Sequence, residues 1–380
     1  MLFNEDQMAL KDSIRRMVEK EVLPLAAEID DTDRFPVEWR KTFGQMGLLQ
    51  MWVPEEYGGP GGDLTSVCIA KEETGKASLT ASTLCCNNSI GLILPLLHFG
   101  TEAQKQKWLP RSGRGELVTA VAMTEPGTGS DVSSIKTRAV QRANGEWVLN
   151  GQKSWITWAA VADVILVFAK TGDGPAHDSI SCFLVETHLP GFRLGRAERK
   201  MGRNGAPNHE IFFDDMVLPP DALVGEEGKG FLACMKILDL NRPTIAASSL
   251  GVAQGAFDLC VQWCKERKVY GKTIGQFQGM QFKLADMAMK LEAARQMLYG
   301  ICAEIDSGDH SRLQMIASMS KCYVTDVAMD ITVEAVQIFG AAGYSKDYPL
   351  ERMMRDAKVN QIIEGTNEIH RMIIGRTLTR

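Results

Sequence analysis

A basic excess is absent. In 380 residues, 42 Lys and Arg stand against 47 Asp and Glu, a formal net charge of −5. That balance leaves no electrostatic footprint for nucleic acid. The most apolar short run, Ile90–Phe99, contains Pro95 and His98 and is too short to cross a bilayer. The N-terminal MLFNEDQ has neither the basic start nor the apolar stretch of a secretory signal, so no secretory route is expected. No G-x-G-x-x-G follows a predicted strand, which argues against a Rossmann nucleotide site. Cysteine comes as an odd set of nine, scattered through apolar surroundings. Reduced core thiols in a reducing compartment are expected. Cys260 and Cys264 share a helix face, but no His or further Cys stands near enough to complete a zinc set, so no metal is expected. Hydrophobic residues make up 45% and charged residues 23%, fractions of an ordinary folded chain rather than a disordered one.

Three compositional parts follow one another, with boundaries expected at residues 1–116, 117–227 and 228–380. The first is helical. Asn4 precedes an acidic first turn, and Leu10, Ile14, Met17 and Val18 recur at helical spacing. Gly-Pro-Gly-Gly at Gly59–Gly62 makes a loop, and helices are expected again over Leu64–Ala77 and Ser82–His98. In the second part the period shortens. Val118–Met123, Trp147–Leu149, Val164–Phe168, Ile180–Val185 and Ile211–Phe213 read as strands. Asn144-Gly145 and Asn150-Gly151 read as hairpin turns, so a small antiparallel β domain is expected. The third part predicts four helices, roughly Phe231–Arg267, Phe277–Ile305, Leu313–Phe339 and Leu350–Ile363, long enough to favour an antiparallel bundle.

Four segments can carry chemistry. Thr124 to Asp131 combines two glycines, hydroxyls and free backbone N–H groups, able to cradle an oxygen-rich or anionic group. Trp155-Ile156-Thr157 places an indole, a hydroxyl and backbone donors in one short strand. Gln337 to Tyr344 is a helix end whose glycines permit close approach. In Ile362-Ile363-Glu364-Gly365-Thr366-Asn367-Glu368, a carboxylate follows two isoleucines, and apolar neighbours raise a carboxyl pKa toward the range of a working base. Each segment alone also fits a bland alternative: a glycine loop, a core Trp, a helix end, a solvated Glu.

Taken together these segments resemble the acyl-CoA dehydrogenase family over essentially the whole chain. AMTEPGTGSD, WIT, LDLNRP, ERKVYGKTIGQFQ, QIFGAAGY, ERMMRDAK and IIEGTNEI stand in the family's order and spacing. The resemblance implies a mainly α fold with a central β domain: an N-terminal helical domain, an antiparallel β domain and a C-terminal four-helix bundle. It implies FAD as cofactor, with Met123, Thr124, Gly129 and Ser130 at the loop that meets the flavin and its phosphates, and Trp155, Ile156 and Thr157 along the isoalloxazine ring. Arg267 and Gln278 match positions that reach the FAD of a neighbouring subunit, Gln337, Gly340 and Ala341 match the adenine end, and Thr366 and Glu368 match further FAD contacts. Glu364 matches the general base of the short- and medium-chain branch. Another branch carries its base just before the arginine of an LDLER-like motif, where this chain has the neutral Asn241. Asp239 and Arg242 match positions holding CoA, and Leu238, Asn241, Ile363, Gly365 and Ser130 are substrate-side candidates, with Ser89–Leu94 as further lining. Three departures stand out: Trp158 after WIT, Ala341 in place of a common Gly, and Gly205-Ala206-Pro207-Asn208 where many members carry Ser or Thr.

The implied reaction is α,β-dehydrogenation of an acyl-CoA to a trans-2-enoyl-CoA, with Glu364 taking the α-proton while the β-hydrogen leaves as hydride. Hydrogen bonds to the thioester carbonyl, one of them from the Glu364 backbone N–H, stabilise the developing enolate. The resemblance also implies electron-transfer flavoprotein as electron acceptor and a homotetramer built as a dimer of dimers. A bacterial-like cytoplasm is the expected location, or the mitochondrial matrix if a transit peptide has been removed. Three alternatives share these features: an acyl-CoA oxidase, a desulfinase-like relative lacking the base, and a non-catalytic flavin-binding assembly protein for which Glu364 would be dispensable.

Overall fold

The computed structural model describes residues 2–379. Helix α1 (Glu5–Met17) starts on a reciprocal cap: the Asn4 side chain accepts the Gln7 N–H at 2.8 Å, and the Gln7 side chain accepts the Asn4 N–H at 3.2 Å. Helices α2 (Ala26–Thr32), α3 (Val37–Gln45), α4 (Leu64–Gly75), α5 (Leu79–Leu84), α6 (Leu94–Phe99) and α7 (Glu102–Gly113) complete the first unit. The stretch expected as one helix over Ser82–His98 is broken. Cys86 takes a left-handed φ of 58° and donates its N–H to Leu48 O at 2.7 Å, a tertiary bond that displaces the helical one. A π turn at Ser89–Ile93 then leads into α6.

The middle unit holds β1 (Thr119–Ala122), β2 (Arg138–Gln141), β3 (Trp147–Thr157), β4 (Val164–Lys170), the short α8 (Ala176–Ser179), β5 (Ile180–Glu186), β6 (Phe192–Ala197), β7 (Asn208–Leu218) and β8 (Leu223–Val224). Its sheet is mixed, not antiparallel as expected. The order is β6-β7-β3-β2-β4-β5-β8, and β1 pairs in parallel with β4. The β2–β3 hairpin lies within the β1–β4 connection, and a crossover of that length lets two strands run the same way. Asn144-Gly145 does make the β2–β3 turn. Asn150-Gly151 does not turn the chain: it lies inside β3, opposite an extra residue on β7. Asp215 is that residue, with φ 44°, and it exchanges two hydrogen bonds with the Asn150 side chain.

The last unit comprises α9 (Gly230–Glu266), the ribbon β9 (Lys268–Val269) and β10 (Lys272–Thr273), α10 (Gln278–Asp306), α11 (Leu313–Phe339), the turn α12 (Ala341–Tyr344), α13 (Leu350–Asn360) and α14 (Asn367–Leu378). Three long helices run up, down and up. The expected fourth is α13, three residues shorter than the expected range, and a further helix that was not expected, α14, follows after residues 361–366. Leu79–Phe99 and α9 are apolar and long enough to cross a membrane, but 83% and 67% of an 18-residue window in each are buried inside the fold, where they serve as core. Glycine lets α4 and α9 cross backbone to backbone: a Cβ on Gly251 would lie 2.2 Å from Glu72 O, and one on Gly75 would lie 2.7 Å from Ser248 O. All nine cysteines are buried free thiols.

Candidate active site

A cleft of about 880 Å³ opens between the sheet, α4, α5, α9 and the α13–α14 loop. One wall is residues 123–130, anchored from beneath by a buried ion pair. Lys153 Nζ donates to Glu125 Oε1 at 2.8 Å and to Met123 O at 3.0 Å. Glu125 also accepts the Lys136 and Thr137 N–H groups at 2.5 and 3.0 Å. Burial pushes Lys153 down to about 8, against the pull of Glu125. Burial also disfavours the charged form of Glu125, but Lys153 and the amide donors outweigh it and hold the carboxyl below its ordinary value. A tight Glu125–Thr128 turn follows, with Gly127 at φ 85°. A Cβ on Gly127 or Gly129 would meet nothing within 4 Å, so this cradle is open to the cleft.

The end of β3 forms a second wall. A bulge between Lys153 and Ile156 throws Trp155 out of register, at φ 62°, with 54% of its surface exposed into the opening. Thr157 Oγ1 accepts Arg203 Nη2 and Asn208 Nδ2, each at 3.0 Å. Both lone pairs are therefore engaged, and the hydroxyl hydrogen is left to donate into the cleft. Asn208 belongs to the departure at residues 205–208, which the structure puts directly against Thr157. Arg203 sits at φ 54°, donates its backbone N–H to Asp356 Oδ1 at 2.5 Å, and keeps its Nε buried without an acceptor. Burial pushes Arg203 down to about 10 and Asp356 up to about 6. Trp158 is a core residue packed edge-on against Phe35.

The third wall carries Glu364, in the loop between α13 and α14, with φ 53° beside Gly365 at φ 92°. Thr366 caps α14, and buried Lys321 holds the loop through Gly365 O at 2.8 Å and Asn367 Oδ1 at 2.9 Å. Left-handed backbone at a non-glycine residue costs energy and persists where the surroundings enforce it. Asn241 Nδ2 donates to Glu364 Oε1 at 2.7 Å, while Oε2 is buried with no partner among the described residues. Burial pushes the carboxyl above its ordinary value, against Arg242, the Asn241 hydrogen bond, Lys71 and Lys321. The Glu364 backbone N–H likewise finds no acceptor among the described residues.

Met123, Thr124, Gly129, Ser130, Trp155, Ile156, Thr157, Leu238, Asn241, Ile363, Glu364, Gly365 and Thr366 thus come together around one cleft. Of Ser89–Leu94, only Ile90 lines it. Asp239 and Arg242 do not: they are buried and paired with each other, burial pushing Asp239 up to about 6. Glu368 faces solvent on α14. Arg267, Gln278, Gln337, Gly340 and Ala341 lie apart from the cleft and exposed, at the bundle end where α9 finishes, α10 starts and α11 finishes. The Trp263–Phe339 stack at 4.5 Å marks that end. Motif reading missed Arg203 and Lys71, which also line the cleft. Arg203 stands in a loop without periodicity, and Lys71 lies hidden in an apolar helix, so neither carried a local signal.

The residues present suit a flavin dinucleotide: an open glycine cradle, a hydroxyl donor at Thr157, and an unpaired guanidinium N–H at Arg203. The acyl-CoA dehydrogenase N-terminal, middle and C-terminal domain models match residues 4–116, 120–216 and 228–379. The chain is 42% identical to cyclohex-1-ene-1-carbonyl-CoA dehydrogenase of Syntrophus aciditrophicus, covering 98% of this chain and 90% of that protein. It is 40% identical to the short-chain specific acyl-CoA dehydrogenase of Clostridium acetobutylicum, over 99% and 98%. Among solved structures, it matches butyryl-CoA dehydrogenase from Megasphaera elsdenii with a TM-score of 0.95 and 37% identity, covering 100% and 99% of the two chains. A chain in a structure described as the electron transferring flavoprotein of Acidaminococcus fermentans gives 0.96 and 41%, with coverage of 100% and 99%. A glutaryl-CoA dehydrogenase from Mycobacterium smegmatis, in complex with FADH2, gives 0.93 and 27%, with coverage of 100% and 95%. The chain belongs to the acyl-CoA dehydrogenase family, FAD-dependent oxidoreductases acting on acyl-CoA thioesters.

Proposed function

We propose that this enzyme removes hydrogen from the α and β carbons of an acyl-CoA, giving the trans-2-enoyl-CoA, with Glu364 as general base. The observation that carries this reading is the buried, unpartnered Glu364 Oε2, on a carboxylate whose other oxygen Asn241 holds at 2.7 Å. Asn241 is neutral and stabilises the ionised carboxylate by donating to it, so the base is aimed without a competing second carboxylate. The Glu364 N–H is free to donate to the thioester carbonyl and so acidify the α-carbon. FAD, when bound, accepts the β-hydrogen as hydride. Met123, Thr124, Gly129 and Ser130 would hold it from the cradle, with Trp155, Ile156 and Thr157 along the ring, and Thr157 donating its hydroxyl. Arg203 and Asn208 fix the direction of that hydroxyl. Electron-transfer flavoprotein is the proposed acceptor, supported by the match to the Acidaminococcus fermentans structure. A reducing compartment, the cytoplasm, suits nine buried free thiols.

A homotetramer is also proposed, with Arg267, Gln278, Gln337, Gly340 and Ala341 serving the FAD of a neighbouring subunit. Their shared exposed end of the bundle, and the exposed Phe282 and Met289 on α10, support it. Arg267→Ala should then release flavin and weaken the assembly together. Sedimentation velocity and the flavin-to-protein absorbance ratio read both. An Arg267→Ala chain that sediments as a monomer with full flavin would rule out the shared site.

A further inference from the structure

Lys71 is a buried cation that holds no reacting atom in the reading above, although its charge favours the ionised form of Glu364. It lies on α4, lines the cleft, and is only 6% exposed. Its Nζ donates to Ser82 O at 2.8 Å, and no described carboxylate pairs with it. The two carboxylates next to it on α4 are engaged elsewhere: Glu72 by Arg295 at 3.0 Å and Tyr299 Oη at 2.6 Å, Glu73 by Lys76 at 2.7 Å. A buried ammonium has three donors and a large desolvation cost, so one neutral carbonyl leaves it short of partners. Thr83, Asn87 and Ser248 are among the lining residues of the cleft, beside Leu79, Cys86 and Ile90.

Helix α9 sets the distance from this cation to Glu364. Leu238, Asn241, Ile245 and Ser248 line the cleft along one face of α9. Asn241 holds Glu364, and Ser248 Oγ lies 2.7 Å from Ser82 Oγ, on the residue whose carbonyl binds Lys71. At ~1.5 Å rise per residue, Asn241 and Ser248 are about 10 Å apart along the axis. Base and ammonium therefore stand at opposite ends of one short passage, with Ile245 between.

We propose that the acyl group carries a second carboxylate at its far end, paired with Lys71: the substrate is the monothioester of a short α,ω-dicarboxylic acid with CoA. The α-carbon would lie at Glu364 and the free carboxylate at Lys71, with a few methylenes along Ile245. Asn87 supplies a further hydrogen bond with the amide N–H that it does not give to Thr119 O. This rests on the dehydrogenase reading above and specifies its substrate class.

The test compares plain and ω-carboxy acyl-CoAs of equal carbon number, by flavin bleaching and by titration calorimetry, in wild type, Lys71→Met and Lys71→Gln. Wild type should favour the ω-carboxy series, and both variants should lower the ω-carboxy to plain ratio of kcat/KM by at least roughly 30-fold, the loss expected when one partner of a desolvated charge pair is removed. Melting temperature and flavin content check that each variant is folded. If Lys71→Met does not fold, Lys71→Gln and the wild-type preference still decide. A wild type that bleaches with plain acyl-CoA and gains nothing from the ω-carboxylate overturns this proposal while the dehydrogenase reading stands. So does an unchanged ratio in the variants, or a terminal hydroxyl that outperforms the carboxylate. If no acyl-CoA of either series bleaches the flavin, the dehydrogenase reading falls, and this proposal with it.

Discussion

Glu364→Gln should retain FAD and acyl-CoA but slow bleaching of the flavin by substrate roughly 10²–10⁴-fold, the contribution of a positioned base. The amide keeps the side-chain size and still meets Asn241, now without a proton-accepting oxygen at neutral pH. Bleaching in wild type should also depend on pH. Burial holds the Glu364 carboxyl above its ordinary value. The active form is the carboxylate, so the rate should fall on acidification, beginning at a higher pH than for a solvated glutamate, and Glu364→Gln should lose that acid limb. Glu368 is the obvious rival, but it is exposed on α14 and its carboxyl is held below the ordinary value by its own backbone N–H and Thr366. Glu368→Gln should therefore bleach at nearly the wild-type rate. Stopped-flow mixing under nitrogen reads all three proteins. Near-normal bleaching in Glu364→Gln would sink the assignment, and loss in Glu368→Gln alone would move the base there.

Lys153→Met should destabilise the middle unit by about 3–5 kcal/mol, because it leaves Glu125 buried without its cation. The two residues are 0% and 5% exposed, so solvent does little to screen the loss. Lys153 also ties Met123 O to β3, so residues 123–130 should loosen and release flavin. Replacing both partners, Glu125→Leu with Lys153→Met, removes the unpaired charge and should recover much of the stability without the ordered cradle. Urea unfolding followed by tryptophan fluorescence, with flavin content in parallel, separates the two effects. A single variant as stable as wild type would show that the ion pair does not anchor the cradle.

The first helix and its cap, and the three long C-terminal helices, could be read directly, because caps and apolar periodicity are local signals. Glu364 and Asn241 were legible as a candidate base and as a neutral residue at the rival position. Their contact at 2.7 Å, across 123 positions, was not. Local signals misled where a distant partner decided the outcome. Asn150-Gly151 has the composition of a hairpin turn, yet Asp215 on β7 absorbs it into a continuous strand. The helix break at Cys86 depends on Leu48 O, and no residue near Cys86 announces it. β6 has an exposed burial pattern that hides a strand, although β7 pairs with it. Lys71 and Arg203 escaped for the same reason: burial next to the cleft is a property of the packed helices and sheet, and the neighbouring sequence does not encode it.

The central claim is that the chain dehydrogenates an acyl-CoA between its α and β carbons. Anaerobic titration of the purified wild-type flavoprotein with acyl-CoA, following flavin absorbance and identifying the released thioester by mass and by its double bond, tests this most directly. The account predicts bleached flavin and an equivalent amount of trans-2-enoyl-CoA. Oxidised flavin that persists beside unchanged acyl-CoA, across plain and ω-carboxy substrates alike, would contradict it.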